Sequence, residues 1–529
     1  MKVVIADRIA PAGVDFLKRQ PGFQVVEAYG SASDVLKETL RDAVAIVVRS
    51  ETQVTRELMA SGPLLRIIGR AGVGIDNIDV PAATERGIVV VNTPSGNTTA
   101  TAELTFAHLM CAARPIVQAC SRLKQGSWDR KAFAGSELSG KTLGILGFGR
   151  IGYEVAKRAR VFGMHVLTYD PYILPERAKG VGATLVELDF LLSEADYISI
   201  HMPLLDGTRH FIDKKAFAKM KPGVRLVNCA RGGIVDEAAL TEAMQSGKVA
   251  ACGMDVFERE PLDASSELLG LDASVLTPHL GASTAEAQES VGIEVAEVIS
   301  RALLDGHIVN AVNMPSIDPE TLARLAPYLD LGQRLGSMMQ QLTASPLETL
   351  KITYSGKLAE TDTRPIDRAI QRGYARNICG EAVNDVNAPL KLKERGVTVE
   401  IIASSSESEY TELIELEGYA KGTCVHTLAG TLFGKGHTPR LVRLDHHTME
   451  VVPEGSLLIL ENRDIPGIVG MLGSLLAKHR INIANLSLSR SEPGVSALSV
   501  FSLDESPSAK VLDEIALHEA ISKVHCVHC

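Results

Sequence analysis

A chain of 529 residues has room for three or four domains, each able to bury its own core. With 64 acidic against 54 basic side chains the net charge is -10, which argues against a general nucleic-acid surface. Any anionic ligand must then be met by a local group of arginines or lysines. The start, MKVVIADRIA, interrupts its apolar stretch with Asp7 and Arg8 and reads as a strand, not a signal peptide. No run approaches the ~18 apolar residues of a membrane span, and the eight cysteines are scattered as in a reducing cytosol. The expectation is a soluble cytoplasmic protein of several domains, with neither nucleic acid nor membrane as a partner.

Residues 1 to about 95 alternate strands and helices. Val3 to Ile5, Val44 to Val48 and Leu65 to Ile68 read as buried parallel strands, with helices over Pro11 to Lys18 and Thr55 to Ala60 between them. This alternation predicts a flavodoxin-like α/β sheet. Arg49 and Arg70 follow the second and third strands, and ligands of open parallel sheets bind beyond the carboxyl ends of strands. Arg70 opens the glycine loop RAGVGIDNID, in which Gly72 and Gly74 give flexibility. Asn97 lies in the loop before an apolar helix through Ala113, which carries Glu103. The only tryptophan, Trp128, stands beside Arg130 and Lys131.

The segment Lys141 to Asp170 has the fullest signal. A buried strand, Thr142 to Leu146, runs into Gly147-Phe-Gly149-Arg-Ile-Gly152, then a helix, then a strand ending at Asp170. Gly147 permits the tight turn, Gly149 lets a pyrophosphate reach the backbone, and Gly152 lets helix and strand approach. The phosphates would sit on the helix N-terminus. Asp170 would accept from the adenosine ribose hydroxyls and repel a 2′-phosphate, so NAD is expected over NADP. Three further strand ends carry polar residues in succession: Arg231, Asp255 with Glu260, and His279. Parallel geometry places them along one edge, facing the crevice of the cofactor. A helix from Thr284 to Leu304 would return the chain to the first unit.

The linker NAVNMPSIDPE, from Asn310 to Glu320, separates a second half of different pattern. An amphipathic helix over Leu322 to Leu342 opens it, and residues 347 to 452 mix strands and helices. From Ser456 the pattern is a small βαββαβ module. His446-His447 reads as a solvated turn, and Cys526 with Cys529 as alternation on a final strand, not a metal site.

Hydride exchange between nicotinamide and an alcohol needs a group that accepts the hydroxyl proton near neutral pH, which is natural for histidine. A carboxylate orients that histidine, and an arginine clamps a substrate carboxylate with its fork of donors. His279, Glu260 and Arg231 supply that set. The stretches NCARGGIVDEAAL, DVFEREPL and TPHLGAST resemble the signatures of the D-isomer-specific 2-hydroxyacid dehydrogenases. The resemblance covers residues 1 to about 312. It implies that Arg231 binds substrate, Glu260 supports the base and His279 is the acid/base. It also implies cofactor contacts at Arg150, Ile151, Asp170, Pro203, Cys229, Ala230, Asp255, His279 and Gly281, besides Gly147, Gly149 and Gly152.

Within that family the chain is similar to the long branch that opens serine synthesis, with an intervening α+β domain and a C-terminal ACT domain. The expected division is 1–97 with 284–314 for substrate, 98–283 for NAD, 317–452 intervening, and 455–529 ACT. The implied reaction is oxidation of 3-phospho-D-glycerate by NAD. That substrate carries about three negative charges, which Arg49, Arg70 and Asn97 would help to hold. Arg130 and Lys131 would reach a neighbouring subunit's site in a homo-oligomer, with a tetramer favoured. Val73 departs from some relatives, which place a hydroxyl residue there touching the cofactor, so the resemblance implies one cofactor hydrogen bond fewer. The loop ENRDIPG and strand INIAN resemble an effector site, with Asn462, Asp464 and Asn482 as contacts and L-serine as inhibitor. Other readings are a glyoxylate or hydroxypyruvate reductase and a non-catalytic NADH-sensing regulator.

Overall fold

Short apolar runs, most of them buried on both faces, build two parallel sheets in the first half of the chain. The structure, a computed structural model, describes residues 1–404, 409–492 and 494–529. The first sheet contains β1 (Lys2–Ile5), β2 (Gln24–Glu27), β3 (Ala43–Val48), β4 (Ile67–Arg70) and β5 (Val89–Val91). Their order is β2-β1-β3-β4-β5 and every pairing is parallel, the flavodoxin-like order. The third expected strand lies two residues later than its apolar run suggests. Pairing with β3 aligns Ala45 with Ile67 and Val48 with Arg70, so Arg70 is the last residue of β4 instead of following it. Strand β2, a half-exposed edge strand with polar residues at both ends, and the three-residue β5 complete the sheet.

The second sheet comprises β6 (Thr142–Leu146), β7 (His165–Tyr169), β8 (Thr184–Leu185), β9 (Tyr197–Ile200), β10 (Val224–Asn228), β11 (Val249–Met254) and β12 (Ser274–Leu276). Its order, β12-β11-β10-β9-β6-β7-β8, reverses direction between β6 and β9. All pairings are parallel. That reversal opens the crevice in which Rossmann sheets hold dinucleotides. Helix Thr98–Ala113 carries the chain from the first sheet to the second. Helix Ala285–Leu304, capped by the Thr284 hydroxyl, brings it back. Val291, Val295 and Ile299 of that returning helix pack with Val3, Ile5 and Val47, so the first sheet is completed by residues far away in sequence.

The second half holds β13 (Thr349–Gly356), β14 (Thr398–Ser404), β15 (Glu412–Ala420), β16 (Thr423–Phe433), β17 (Thr438–Leu444) and β18 (His447–Val451) in one sheet. Helices Pro319–Leu342 and Arg364–Cys379 back it. His447 is not in a solvated turn: it begins β18, is buried, and burial lowers its pKa. The last sheet, β19 (Ser456–Arg463), β20 (Ile483–Glu492), β21 (Ser496–Leu503) and β22 (Ile521–His528), has the antiparallel order β20-β21-β19-β22. Alternation along its strands covers both faces. Leu458, Leu460 and Phe501 pack on helices Ile468–Lys478 and Ala509–Ala516. Leu457, Ile459, Leu498, Val500 and Val527 join the core of the preceding sheet. Among the described residues no helix is long and apolar enough to cross a membrane.

Candidate active site

The glycine turn after β6 meets three separate physical demands. Gly147 has φ +89°, and a Cβ on it would stand 2.7 Å from the His201 carbonyl oxygen across the switch point. A Cβ on Gly152 would overlap the Gly147 carbonyl, so helix Arg150–Val161 can close on the turn only without a side chain there. Gly149 caps that helix with no side-chain hydrogen bond, and nothing lies within 4 Å of where its Cβ would be. Free N–H groups facing open space are what a pyrophosphate needs. Asp170 directly follows β7, and its oxygens accept from Phe148 N at 2.8 Å and Tyr172 N at 2.9 Å. Its carboxylate is thereby fixed beside the glycine turn, with further lone pairs free. Pro203 is exposed beyond β9, Arg150 is exposed and Ile151 half-buried at the helix start. Cys229 and Ala230 follow β10, and burial pushes the Cys229 thiol up to about 12, so it stays a neutral wall. These residues fit a dinucleotide.

Three arginines converge from the two sheets. Arg49 follows β3 with its backbone clamped on both sides. Asp7 accepts from Arg49 N at 2.6 Å and Thr52 N at 3.1 Å, and Asn77 donates to the Arg49 and Thr52 carbonyls at 2.8 and 2.6 Å. Neither Asp7 nor Asn77 is singled out by sequence pattern, although an acid breaking an apolar strand end was the available signal. The Arg70 guanidinium folds over Gly72, whose φ of +151° and bare Cα leave room for it. Gly74 likewise makes room for Arg231, whose Nε lies 3.4 Å from Asp76. Burial, then repulsion from Arg231 and Arg49, pulls the Arg70 pKa down to about 10. Arg70 Nε is buried without a partner among the described residues. A hollow whose cations repel one another is prepared for an anion. Asn97 precedes helix Thr98–Ala113, and its Oδ1 is also buried and unpartnered among the described residues. Arg130 and Lys131 are not brought to this group. Both are exposed in a turn that Asp129 closes on Lys131 N and Ala132 N.

Beyond β10, Asn228 holds the Arg231 loop, donating to the Arg231 carbonyl at 2.9 Å and accepting from Ala230 N at 3.0 Å. Beyond β11 and β12, Glu260 and His279 meet, with Glu260 Oε2 2.7 Å from His279 Nδ1. The other oxygen of Glu260 accepts from Phe257 N at 3.0 Å. Burial raises the Glu260 pKa, but the His279 bond, the Phe257 N–H and the charges of His279 and Arg231 outweigh it and hold the carboxyl below its ordinary value. Glu260 is therefore the acceptor, His279 Nδ1 carries the proton, and Nε2 is left free to take another. His279 is one of the few non-glycine residues at positive φ, +55°. Asp255, fully buried, accepts from Thr277 Oγ1 at 2.6 Å, Leu280 N at 2.7 Å and Gly281 N at 2.9 Å. Its visible work is to hold the His279 loop from behind.

The residues expected to bind an effector do not gather within one chain. Asn462 and Asp464 lie at the end of β19, where Arg463 pairs with Ser496. Asn482 precedes β20, whose first residue pairs with Leu503 at the opposite end of β21. Asn482 donates to Asp504 at 2.7 Å, Asn462 accepts from Ser499 at 3.0 Å, and Asp464 accepts from Gly494 N at 2.9 Å. Strand direction, not visible in the motif, causes the separation.

The model of the D-isomer specific 2-hydroxyacid dehydrogenase NAD binding domain matches residues 106–281. The D-3-phosphoglycerate dehydrogenase intervening domain matches 324–445 and the ACT domain 456–516. The D-3-phosphoglycerate dehydrogenase of Archaeoglobus fulgidus is 42% identical over 98% of both chains, and that of Methanocaldococcus jannaschii 40% over 97% of both. The chain belongs to the D-3-phosphoglycerate dehydrogenase family. Solved structures of the wider dehydrogenase group resemble the first half. A D-lactate dehydrogenase from Aquifex aeolicus, complexed with NAD and lactic acid, aligns with TM-score 0.52 and 31% identity over 60% of this chain and 100% of that one. A glyoxylate reductase from Paecilomyes thermophila aligns with TM-score 0.54 and 34% identity over 61% and 99%. Family membership makes the chain an NAD-dependent oxidoreductase.

Proposed function

We propose that the chain oxidises 3-phospho-D-glycerate to 3-phosphohydroxypyruvate, opening serine synthesis in the cytoplasm. The observation that carries this is the convergence of Arg49, Arg70 and Arg231 beside the Glu260–His279 pair. A D-lactate-sized acid does not need three guanidiniums; a carboxylate plus a phosphate does. Arg231 clamps the carboxylate and polarises C2–O, while Arg49, Arg70 and Asn97 hold the remaining charge. His279 Nε2 takes the hydroxyl proton, and Glu260 stabilises the resulting imidazolium. NAD, when bound on the Gly147–Gly152 turn with its ribose at Asp170, supplies the hydride acceptor. Arg150, Ile151, Pro203, Cys229, Ala230 and Gly281 would help to hold it, and Asp255 would support it from behind the His279 loop.

The four-part division proposed for the chain assigns substrate to 1–97 with 284–314, NAD to 98–283, and regulation to 317–452 and 455–529. For L-serine, the effector site needs two copies. If two modules pair through their β20 edges about a two-fold axis, Asn482 of one copy comes to the end that holds Asn462 and Asp464 of the other. This favours a homo-oligomer, a tetramer if the catalytic halves also pair, with Arg130 and Lys131 at the neighbour's site. The test is NADH formation from 3-phosphoglycerate with and without L-serine, with D-lactate and D-glycerate alongside. Turnover of the phosphorylated acid alone, reduced by serine, is expected. Equal turnover of D-glycerate would overturn the substrate assignment, and turnover indifferent to serine would remove the effector.

A further inference from the structure

His108 has no place in the mechanism above, yet it is buried at 2% exposure on helix Thr98–Ala113, facing the second sheet. Its Nε2 lies 2.9 Å from Thr277 Oγ1, and the Thr277 hydroxyl lies 2.6 Å from Asp255 Oδ1. The proton positions follow from chemistry. Asp255 also faces the N–H groups of Leu280 and Gly281, so its carboxylate accepts throughout. Thr277 has one proton and gives it to Asp255. Its oxygen can then only accept from His108, whose proton is on Nε2. His108 Nδ1 is left bare, and it is buried without a partner among the described residues. Protonating it would put an N–H against Gly253, whose missing side chain makes the space for the ring: a Cβ there would lie 2.7 to 3.0 Å from three ring and side-chain atoms of His108. Burial lowers the His108 pKa accordingly, against a smaller opposite pull from Asp255.

We propose that neutral His108 is a positioning residue for His279, acting through Thr277 and Asp255 to hold the loop 277–281 in its strained form. Resting on the assignment of His279 as acid/base, the proposal adds the reason that this loop keeps a non-glycine residue at positive φ beside its carboxylate. The chain of donors runs one way: His108 to Thr277, Thr277 to Asp255, with Asp255 gathering Leu280 N and Gly281 N on either side of Leu280. Thr101, from the same helix as His108, donates to the Gly281 carbonyl at 2.9 Å and closes the clamp. His279 N donates to the Asp255 carbonyl at 2.9 Å. One helix thus sets the loop backbone at two points, and with it the position from which the His279 side chain reaches Glu260.

The test compares His108→Leu, His108→Gln and His279→Gln in the full chain, by steady-state kinetics and by hydrogen exchange of the peptide containing 277–283. Glutamine can present an N–H where Nε2 stands; leucine fills space without donating. His108→Leu should raise exchange in that peptide and lower kcat about tenfold, with KM for NAD within about twofold. His108→Gln should recover most of both. Equal impairment in the two variants would reduce His108 to packing, and exchange unchanged in His108→Leu would overturn the brace. Faster exchange with kcat unchanged would separate the brace from catalysis and overturn the positioning role. His279→Gln with full turnover would instead defeat the assignment of the base, while the exchange result would still judge the brace. If leucine prevents folding, Thr277→Val against Thr277→Ser reads the same relay.

Discussion

Gly74 acts by what it lacks. The Arg231 guanidinium occupies the space that a methyl group there would take, so Gly74→Ala should push the substrate clamp aside while leaving the sheet intact. The expected result is a fall of about 10- to 100-fold in kcat/KM for 3-phosphoglycerate, with NADH affinity and thermal midpoint little changed; loss of NADH binding as well would show that the loop serves the cofactor instead. Glu260→Gln makes a different point. Glutamine keeps an acceptor for His279 Nδ1 but not the charge that favours the imidazolium, so kcat should drop by about 10- to 100-fold. Because the folded Glu260 carboxyl is held below its ordinary value, its support is present above about pH 4.5 and is lost only as pH falls through the lowered value. Assays from pH 6 to 9, where Glu260 is ionised throughout, should therefore show the variant depressed at every pH; parity with the parent across that range would refute the pairing. Arg231, Glu260 and His279 were legible because each lies in the loop after a strand, inside a recognisable motif. Asp7, Asn77, Asn228 and His108 were not, because their contribution is to hold backbone that only the fold brings near them.

The β6 turn shows how one motif divides its work. Gly149 faces open space and Gly152 faces the Gly147 carbonyl. Gly149→Val should leave the thermal midpoint within about 2 °C of the parent and weaken NADH binding at least about tenfold. Gly152→Ala should lower the midpoint first, because helix and turn must separate. Equal stability losses in both would refute this division. A glycine motif is legible in sequence because all its demands are local. The βαββαβ order of the last module is legible for the same reason, whereas the placement of Asn482 away from Asn462 depends on strand direction across two pairings. A buried pair in the second half escapes pattern altogether. Tyr354 donates to Asp367 at 2.6 Å, and burial raises the Asp367 pKa to about 6 despite that bond. The protonated form is thus favoured on folding: the stability it contributes is complete below the unfolded value near 3.8 and is lost as pH rises through 6. Asp367→Asn should remove that component, so the difference in thermal midpoint between variant and parent should grow in the variant's favour from pH 4 to pH 7. A constant difference would mean that Asp367 does not titrate in this window.

At the scale of the whole molecule, the two halves are joined through β5, the strand that sequence pattern passed over. Asn384 donates to the Gly87 carbonyl at 2.8 Å, and Val386, 2% exposed, enters the apolar cluster of Val89 and Val91. Asn313 of the linker accepts from Val90 N and donates to the Ile88 carbonyl, both at 2.9 Å. Past the end of β5, Asn92 donates to the Val73 carbonyl at 2.7 Å and Thr93 N to the Gly72 carbonyl at 3.0 Å. The second half therefore bears on the strand whose exit fixes the loop around Arg70 and Arg231. The contact makes a shared core that can be broken. Val386→Asp places an unpaired carboxylate in that core, at a cost of about 3–5 kcal/mol. Most of that cost should fall on the joint, because each half also has hydrophobic cores that Val386 does not enter. Calorimetry should then resolve two unfolding transitions where the parent shows one merged event, and the KM for 3-phosphoglycerate should rise while that for NAD holds. Two transitions with both constants unchanged would make the joint a static support. A single transition at the parent's temperature would show that the halves do not depend on Val386 for their attachment.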